Sequence, residues 1–129
     1  MNLFDASALL CFLQGEDGAD KVERALAKGG RCSAANWSET AQKLIAHEQD
    51  WGLSRALLQS YGLAVEPVLA ADAERAARLW RAGSGLSLAD RLCLATAERL
   101  EATVWTADAA WGSSTKIRQV RRLTHASEQ

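Results

Sequence analysis

Four carboxylates draw attention by where they fall along the chain: Asp5, Glu39, Asp90 and Asp108. Asp5 closes the short apolar run Asn2 to Phe4, and Asp108 follows the run Thr103 to Thr106. Glu39 and Asp90 each lie three residues after a polar residue able to open a helix, Asn36 and Ser87 respectively. If the four converge, their like charges raise one another's pKa, and a positive ion is needed to hold them together. A hard divalent cation, Mg2+ or Mn2+, meets that need because it takes oxygen ligands and keeps several waters. One or two such ions, ~4 Å apart if both bind, can activate a water, steady the attacking oxygen and neutralise the leaving oxygen of a phosphodiester. The chemistry indicated is hydrolytic phosphoryl transfer, with no side chain acting as a covalent nucleophile.

Each acid also has an ordinary structural use. Asn36-Trp37-Ser38-Glu39 and Ser87-Leu88-Ala89-Asp90 both have the spacing of a capping box, so helix-start stabilisation is an alternative role for Glu39 and Asp90. Asp5 suits the N-cap of a helix beginning at Ala6, and Asp108 suits a turn after Thr106. The chemical reading rests on the combination of the four.

The elements that would have to position these acids follow from periodicity and punctuation. Asn2 to Asp5 predicts a strand and a strand-to-helix turn, Ala6 to Leu13 a helix, Ala19 to Lys28 a second helix, and Arg31 to Ser33 a second strand. A helix is expected from Asn36 to about Glu48, another from Asp50 to Tyr61, and a third strand at Leu63 to Glu66 before Pro67. Ala70 to Trp80 predicts an amphipathic surface helix, with Ala73, Ala76, Ala77 and Trp80 on one face and Asp72, Glu74, Arg75 and Arg78 on the other. A helix at Ser87 to Leu100, a strand at Thr103 to Thr106, a helical turn at Asp108 to Trp111 and a basic stretch from Lys116 to Leu123 complete the chain. This alternation predicts an α/β fold: a three-layer α/β/α sandwich around a mostly parallel sheet of four or five strands, with right-handed crossovers. In such a sheet a ligand site forms at the carboxyl ends of the strands, where strand order reverses. Neighbouring first and fourth strands would put Asp5 beside Asp108 there, with two helix starts aiming Glu39 and Asp90 into the same cleft.

Composition agrees with one domain spanning residues 1–129 and leaves out several classes. With 48% hydrophobic and 24% charged residues, one Pro and nine Gly, the chain is neither disordered nor of low complexity. Twenty-five Ala and 18 Leu against five Val and two Ile favour helix nearly everywhere and leave material for only a few short strands. A formal charge of -1 excludes a global basic field, so an anionic partner must be met by a local patch. Cys11, Cys32 and Cys93 lack CxxC or metal-ligand spacing, which argues against a disulfide framework or a zinc site and for a reducing cytoplasm. Met1 to Leu13 lacks the basic region of a signal peptide, and no run of ~18 apolar residues suggests a membrane span.

The segments Asn2-Leu3-Phe4-Asp5-Ala6-Ser7-Ala8-Leu9, Trp37-Ser38-Glu39, Leu86-Ser87-Leu88-Ala89-Asp90-Arg91-Leu92-Cys93-Leu94-Ala95 and Thr106-Ala107-Asp108 together resemble PIN-domain proteins. The branch most similar is that of the VapC-type toxins of bacterial toxin–antitoxin pairs. The resemblance covers nearly the whole chain and is most specific around Asp90. It implies a Mg2+- or Mn2+-dependent endoribonuclease acting on structured or messenger RNA, leaving 5′-phosphate and 3′-hydroxyl ends. It further implies a small cognate antitoxin and pairing of toxin chains as homodimers. By the same resemblance Asp5, Glu39, Asp90 and Asp108 are the metal-binding and catalytic acids, while Ser7 and Thr106 orient carboxylates or metal waters. The chain departs from many relatives at Ala109 and Ala110, where another acid or polar residue is common, and Trp111 stands where Phe is frequent.

A local basic excess lies at Lys116, Arg118, Arg121 and Arg122, with Arg91 near the acids, and these are the candidate RNA contacts, a solvated edge being the plainer use. Arg122 could equally pair with Glu128. Trp37, Trp80 and Trp105 read as core, whereas Trp51 and Trp111, nearer element ends, are candidates for a dimer or antitoxin groove. His47 and His125 lack a nucleophile motif, and Gly83-Ser84-Gly85 lacks a complete phosphate-cradling pattern. Two rival readings remain. A receiver-like or aspartyl-phosphate enzyme would need an acid pair near strand 1 or a late strand-end Lys, and Asp5-Ala6-Ser7 has neither. A PIN-like binding module with little catalysis is left open by the missing acid after Asp108.

Overall fold

The computed structural model describes residues 1–121. Its elements run β1 (Asn2–Phe4), α1 (Ala6–Leu13), α2 (Ala19–Ala27), β2 (Arg31–Ser33), α3 (Ala34–Ala46), α4 (Trp51–Ser60), β3 (Ala64–Glu66), α5 (Ala70–Arg78), α6 (Leu88–Leu100), β4 (Thr103–Thr106), a single 3-10 turn at Ala109–Trp111, and β5 (Ile117–Gln119). The sheet has five strands in the order β3-β2-β1-β4-β5, and every named pairing is parallel. The chain builds outward from β1 in one direction, then returns to the other side of β1 with β4. That reversal makes the β1/β4 boundary the switch point, as the sequence reading required.

Two apolar layers bury the sheet. Phe4, Leu9, Val22, Leu26, Cys32 and Leu58 belong to one, under α1, α2 and α4. Leu3, Cys93, Ala97, Val104 and Trp111 belong to the other, under α6. Consecutive residues Leu3 and Phe4 thus serve opposite faces, the period-two signature of a strand. All three cysteines are buried free thiols. No helix among the described residues is long and apolar enough to cross a membrane.

Three local expectations are corrected. Helix α3 starts at Ala34, not Asn36, because the Ser33 hydroxyl accepts the Asn36 N–H at 3.2 Å and Ala34 and Ala35 are strong helix formers. Glu39 therefore lies in the second helical turn and caps nothing. Helix α5 ends at Arg78 and turns Asp72 inward with Ala76, so Asp72 does not share the solvated face and Trp80 is 59% exposed instead of core. Trp111 is 8% exposed and packs in the α6 layer, which removes it as a docking residue; Trp51 packs edge-on against Trp37 at 5.0 Å. The expectations for Arg122, Leu123, His125 and Glu128 fall outside the described residues.

Asp72 turns inward because Arg99 of α6 meets it with two hydrogen bonds of 2.9 Å and reaches the Glu66 carboxylate at 3.2 Å, while Arg31 holds the other Glu66 oxygen at 2.6 Å. This node ties β2, β3, α5 and α6. Arg31, then Arg99, hold Glu66 below its ordinary 4.5, and Arg99 holds Asp72 below its ordinary 3.8. Carboxylates with depressed folded values stabilise above their unfolded pKa, and that stability is lost as pH falls through the folded value. Arg99→Met is therefore expected to lower the melting temperature at neutral pH, with the gap from wild type narrowing below pH about 4, where the wild-type node itself protonates. Thermal melts across that range test it.

Candidate active site

The backbone ladder of β1 and β4 continues one step past the strand, with the Asp5 N–H donating to the Trp105 carbonyl at 3.1 Å. This sets the Asp5 side chain beside Thr106, and Asp5 becomes the N-cap of α1 by accepting the Ala8 N–H at 2.8 Å. The carboxylate is 2% exposed and is clamped on both oxygens: Ser7 donates to Oδ1 at 2.7 Å and Thr106 to Oδ2 at 2.5 Å. The hydroxyls are themselves positioned, since Ser7 Oγ accepts the Ala107 N–H at 2.8 Å and Thr106 Oγ1 accepts the Asp108 N–H at 3.0 Å. Two hydroxyl side chains thus knit the ends of β1 and β4 around one acid.

Burial pushes the Asp5 carboxyl up to about 6, outweighing the hydrogen bonds from Thr106, Ala8 and Ser7 that pull it down; the charge of Asp90 adds a smaller push upward. Asp90 is therefore close enough to be felt. Burial raises the Cys93 thiol first, and Asp5, Cys32, Asp90 and Glu39 raise it further. Cys32 is raised in the same way, by burial and then by Asp5 and Glu39. The charges of Asp5 and Glu39 thus reach both buried thiols, and that of Asp90 reaches Cys93.

Asp90 does use its capping role. Its Oδ2 accepts the Ser87 N–H at 2.9 Å while Ser87 Oγ accepts the Asp90 N–H at 3.1 Å. This reciprocal pair fixes the start of α6. Asp108 caps the following turn, with Oδ1 accepting the Ala110 N–H at 2.9 Å, and is tied to Asp5 through Thr106. Glu39 is held by Asn36, whose Nδ2 donates to Oε1 at 3.2 Å and whose Oδ1 accepts from Ser33 Oγ at 2.8 Å. Asn36, fully buried, is the positioning residue the sequence reading missed. Its three-residue spacing to Glu39 was visible, but it was assigned to a helix cap one turn too late.

Among the described residues no three His, Cys, Asp or Glu side chains are near enough to hold one ion as they stand. In kind, the donors fit a hard cation: carboxylates flanked by hydroxyls, with the buried Asp5 charge uncompensated by any basic side chain among its hydrogen-bond partners. Of the candidate basic residues, Arg91 donates to the Ala76 carbonyl at 2.8 Å and so holds α5 against α6, and Arg121 pairs with Glu16. Lys116 and Arg118 are exposed.

Thr106→Val removes the donor to Oδ2 and leaves a buried carboxylate oxygen unsatisfied. The expected cost is about 1–3 kcal/mol of stability at neutral pH, together with a further rise of the Asp5 pKa. Chemical denaturation at two pH values measures both.

The family model described as PIN domain matches residues 3–113. Among solved structures, the chain is similar to the toxin-antitoxin complex from Klebsiella pneumoniae, with a TM-score of 0.74 and 20% identity over 95% of this chain and 100% of that one. It is also similar to the Mycobacterium tuberculosis VapC20, a sarcin-ricin loop cleaving toxin, with a TM-score of 0.69 and 20% identity over 88% of this chain and 97% of that one. No curated protein matches the chain.

Proposed function

Because the chain belongs to the PIN domain family, we propose that it is a metal-dependent endoribonuclease, the toxin of a toxin–antitoxin pair. The observation that carries this reading is the buried, doubly clamped Asp5 at the switch point, whose carboxyl the charge of Asp90 also reaches. Asp5, Asp90 and Asp108 would hold the cation and Glu39 would complete the set directly or through a water. When bound, Mg2+ or Mn2+ would supply Lewis-acid polarisation of a phosphate oxygen and a lowered pKa for water. Ser7 and Thr106 fix the carboxylate plane of Asp5, which cannot rotate without losing both hydroxyl donors. Asn36 does the same for Glu39, and the capping pair at Ser87 holds Asp90 at the rim of α6. No side chain is assigned a covalent intermediate; family membership supports water attack with in-line loss of the 3′-oxygen, which leaves 5′-phosphate and 3′-hydroxyl ends.

Similarity to a toxin-antitoxin complex and to a toxin that cleaves the sarcin-ricin loop supports a structured RNA substrate and a cognate antitoxin; a homodimer and a cytoplasmic setting complete the proposed reading. The test is cleavage of a mixed RNA pool by the purified chain, with and without Mg2+ or Mn2+, beside Asp90→Asn. Metal-dependent cutting by the wild type and none by a folded variant is the expected result. A folded wild type that binds a divalent ion and cuts no RNA would favour the second reading, a PIN-like binding module. That reading draws on the capping positions of Asp90 and Asp108 and on the absence of a three-donor cluster among the described residues.

A further inference from the structure

Helix α2 and its C-cap carry a row of three cations. Lys21, Arg24 and Lys28 recur at i, i+3 and i+7, one cation per turn over ~10 Å. Asp20 lies one turn before Arg24 and shares a neighbouring hollow with Asp17, Lys21 and Arg24, whereas Glu23 is turned toward α4, where it accepts the Tyr61 hydroxyl proton at 2.7 Å. The basic face borders a groove of about 530 Å³ against the sheet, completed by Asn2, Trp105, Arg118 and Gln119. Among the described residues, four cations and no carboxylate line it. In a chain of net charge -1, that is a strong local segregation.

The groove also has a direction. At one end Gln119 Nε2 donates to the Asp108 carbonyl at 2.9 Å, which joins the groove wall to the turn carrying a candidate catalytic acid. At the other, Asn2 Nδ2 donates to the Ala25 and Gly29 carbonyls at the far end of the sheet. Between them Arg118 lies over the half-buried Trp105 ring at 6.0 Å, and Trp105 Nε1 donates to Asn2 Oδ1 at 3.0 Å. A second hollow shares Lys21, Arg118 and Gln119 and adds the hydroxyls of Ser113, Ser114 and Thr115, again without a carboxylate among the described residues.

We propose that this α2/β5 groove is the track for the RNA backbone flanking the scissile phosphate, with Lys21, Arg24, Lys28 and Arg118 as its phosphate contacts. The proposal rests on the ribonuclease reading above and extends it to substrate binding. A site built of acids cannot by itself attract a polyanion, so the binding energy has to come from cations outside it. The groove supplies them in a line leading away from Asp108, and its hydroxyl and amide groups suit sugar and phosphate oxygens. The sequence reading found Arg118 and missed the three α2 cations, because Asp20 and Glu23 neutralise them in a linear charge count.

The test measures binding of a short fluorescein-labelled RNA of mixed sequence to the cleavage-dead Asp90→Asn protein as salt is varied. Adding Lys21→Gln, Arg24→Gln and Lys28→Gln to that protein should weaken binding at low salt by at least tenfold. It should also reduce the slope of log K against log salt by about 2, at ~0.7 per lost phosphate contact. Arg55→Gln with Arg78→Gln, on other helices, should change neither, and thermal melts confirm that all variants fold. Unchanged affinity and slope in the triple variant, while the protein with Asp90 intact still cuts RNA, would overturn the groove and leave the ribonuclease reading standing. Failure of every form to bind or cut RNA would overturn both. Labelled polyglutamate bound through these cations in place of RNA would assign the groove to an acidic protein partner and overturn the proposal.

Discussion

Asp5→Asn is expected to give a protein that is more stable than wild type above pH about 6 and at least ~1,000-fold slower in RNA cleavage. The rate loss follows if Asp5 helps hold a cation whose charge stabilisation is worth several kcal/mol. The stability gain follows from linkage. The Asp5 carboxyl is raised from 3.8 to about 6 in the fold, chiefly by burial. A carboxyl with a raised folded value adds no penalty below its unfolded pKa, and stability is lost as pH climbs through the folded value. The wild type should therefore weaken between pH about 4 and 6, by up to ~3 kcal/mol for a shift of about two units. An amide at this position can still accept the Ala8 N–H and the Ser7 hydroxyl proton on its oxygen, while its NH2 donates to Thr106 Oγ1, without carrying charge. Its melting temperature at neutral pH should exceed wild type by roughly 5–10 °C, and its pH profile should be flatter across that window. Added Mg2+ or Mn2+ should raise the wild-type melting temperature by mass action and leave that of the variant unmoved. A variant that melts below wild type at neutral pH would show that Asp5 serves the fold as a charged cap.

The second large effect is structural and lies at Gly18. This residue opens α2 at φ +98°, and a Cβ there would lie 2.4 Å from the Val120 carbonyl oxygen. Ala at this position would carry both a left-handed backbone and an overlap with main chain that has no rotamer to yield. The expected loss is about 3 kcal/mol, or roughly 10 °C in melting temperature. Because Gly18 is where the start of α2 meets the end of β5, Gly18→Ala should also shift the basic face of α2 against Arg118, weakening RNA binding more than salt-insensitive contacts alone would predict. Gly15→Ala, also at positive φ but with open space around its Cβ, should cost only the backbone share. Denaturant titration of the two variants separates conformational strain from overlap.

Local chemistry was sufficient for most of the frame. Short apolar runs ending in Asp5 and after Thr103, glycines behind helices, and the Ser87 capping box predicted element types that agree with the structure, because each depends on neighbours within four residues. The alternation of strand and helix was enough for a parallel α/β sandwich, and the pairing of β1 with β4 then brought Asp5 and Asp108 to one edge.

Helix faces and partners were decided in three dimensions. Asp72 reads as a solvated residue on α5 until Arg99, 27 residues later, is found against it. Trp80 reads as core by helical spacing, yet the helix ends before it and its indole stands in solvent. Trp111 reads as an element-end aromatic, yet the turn after Asp108 folds it under α6. In each case spacing identifies which residues share a side, while what lies opposite that side depends on long-range packing. The four acids follow the same rule. Their residue types and order were legible from the chain alone; that Asp5 is buried, clamped by Ser7 and Thr106 and lifted to about 6 is a consequence of closing β1 against β4, since desolvation exists only once the surrounding elements have excluded water.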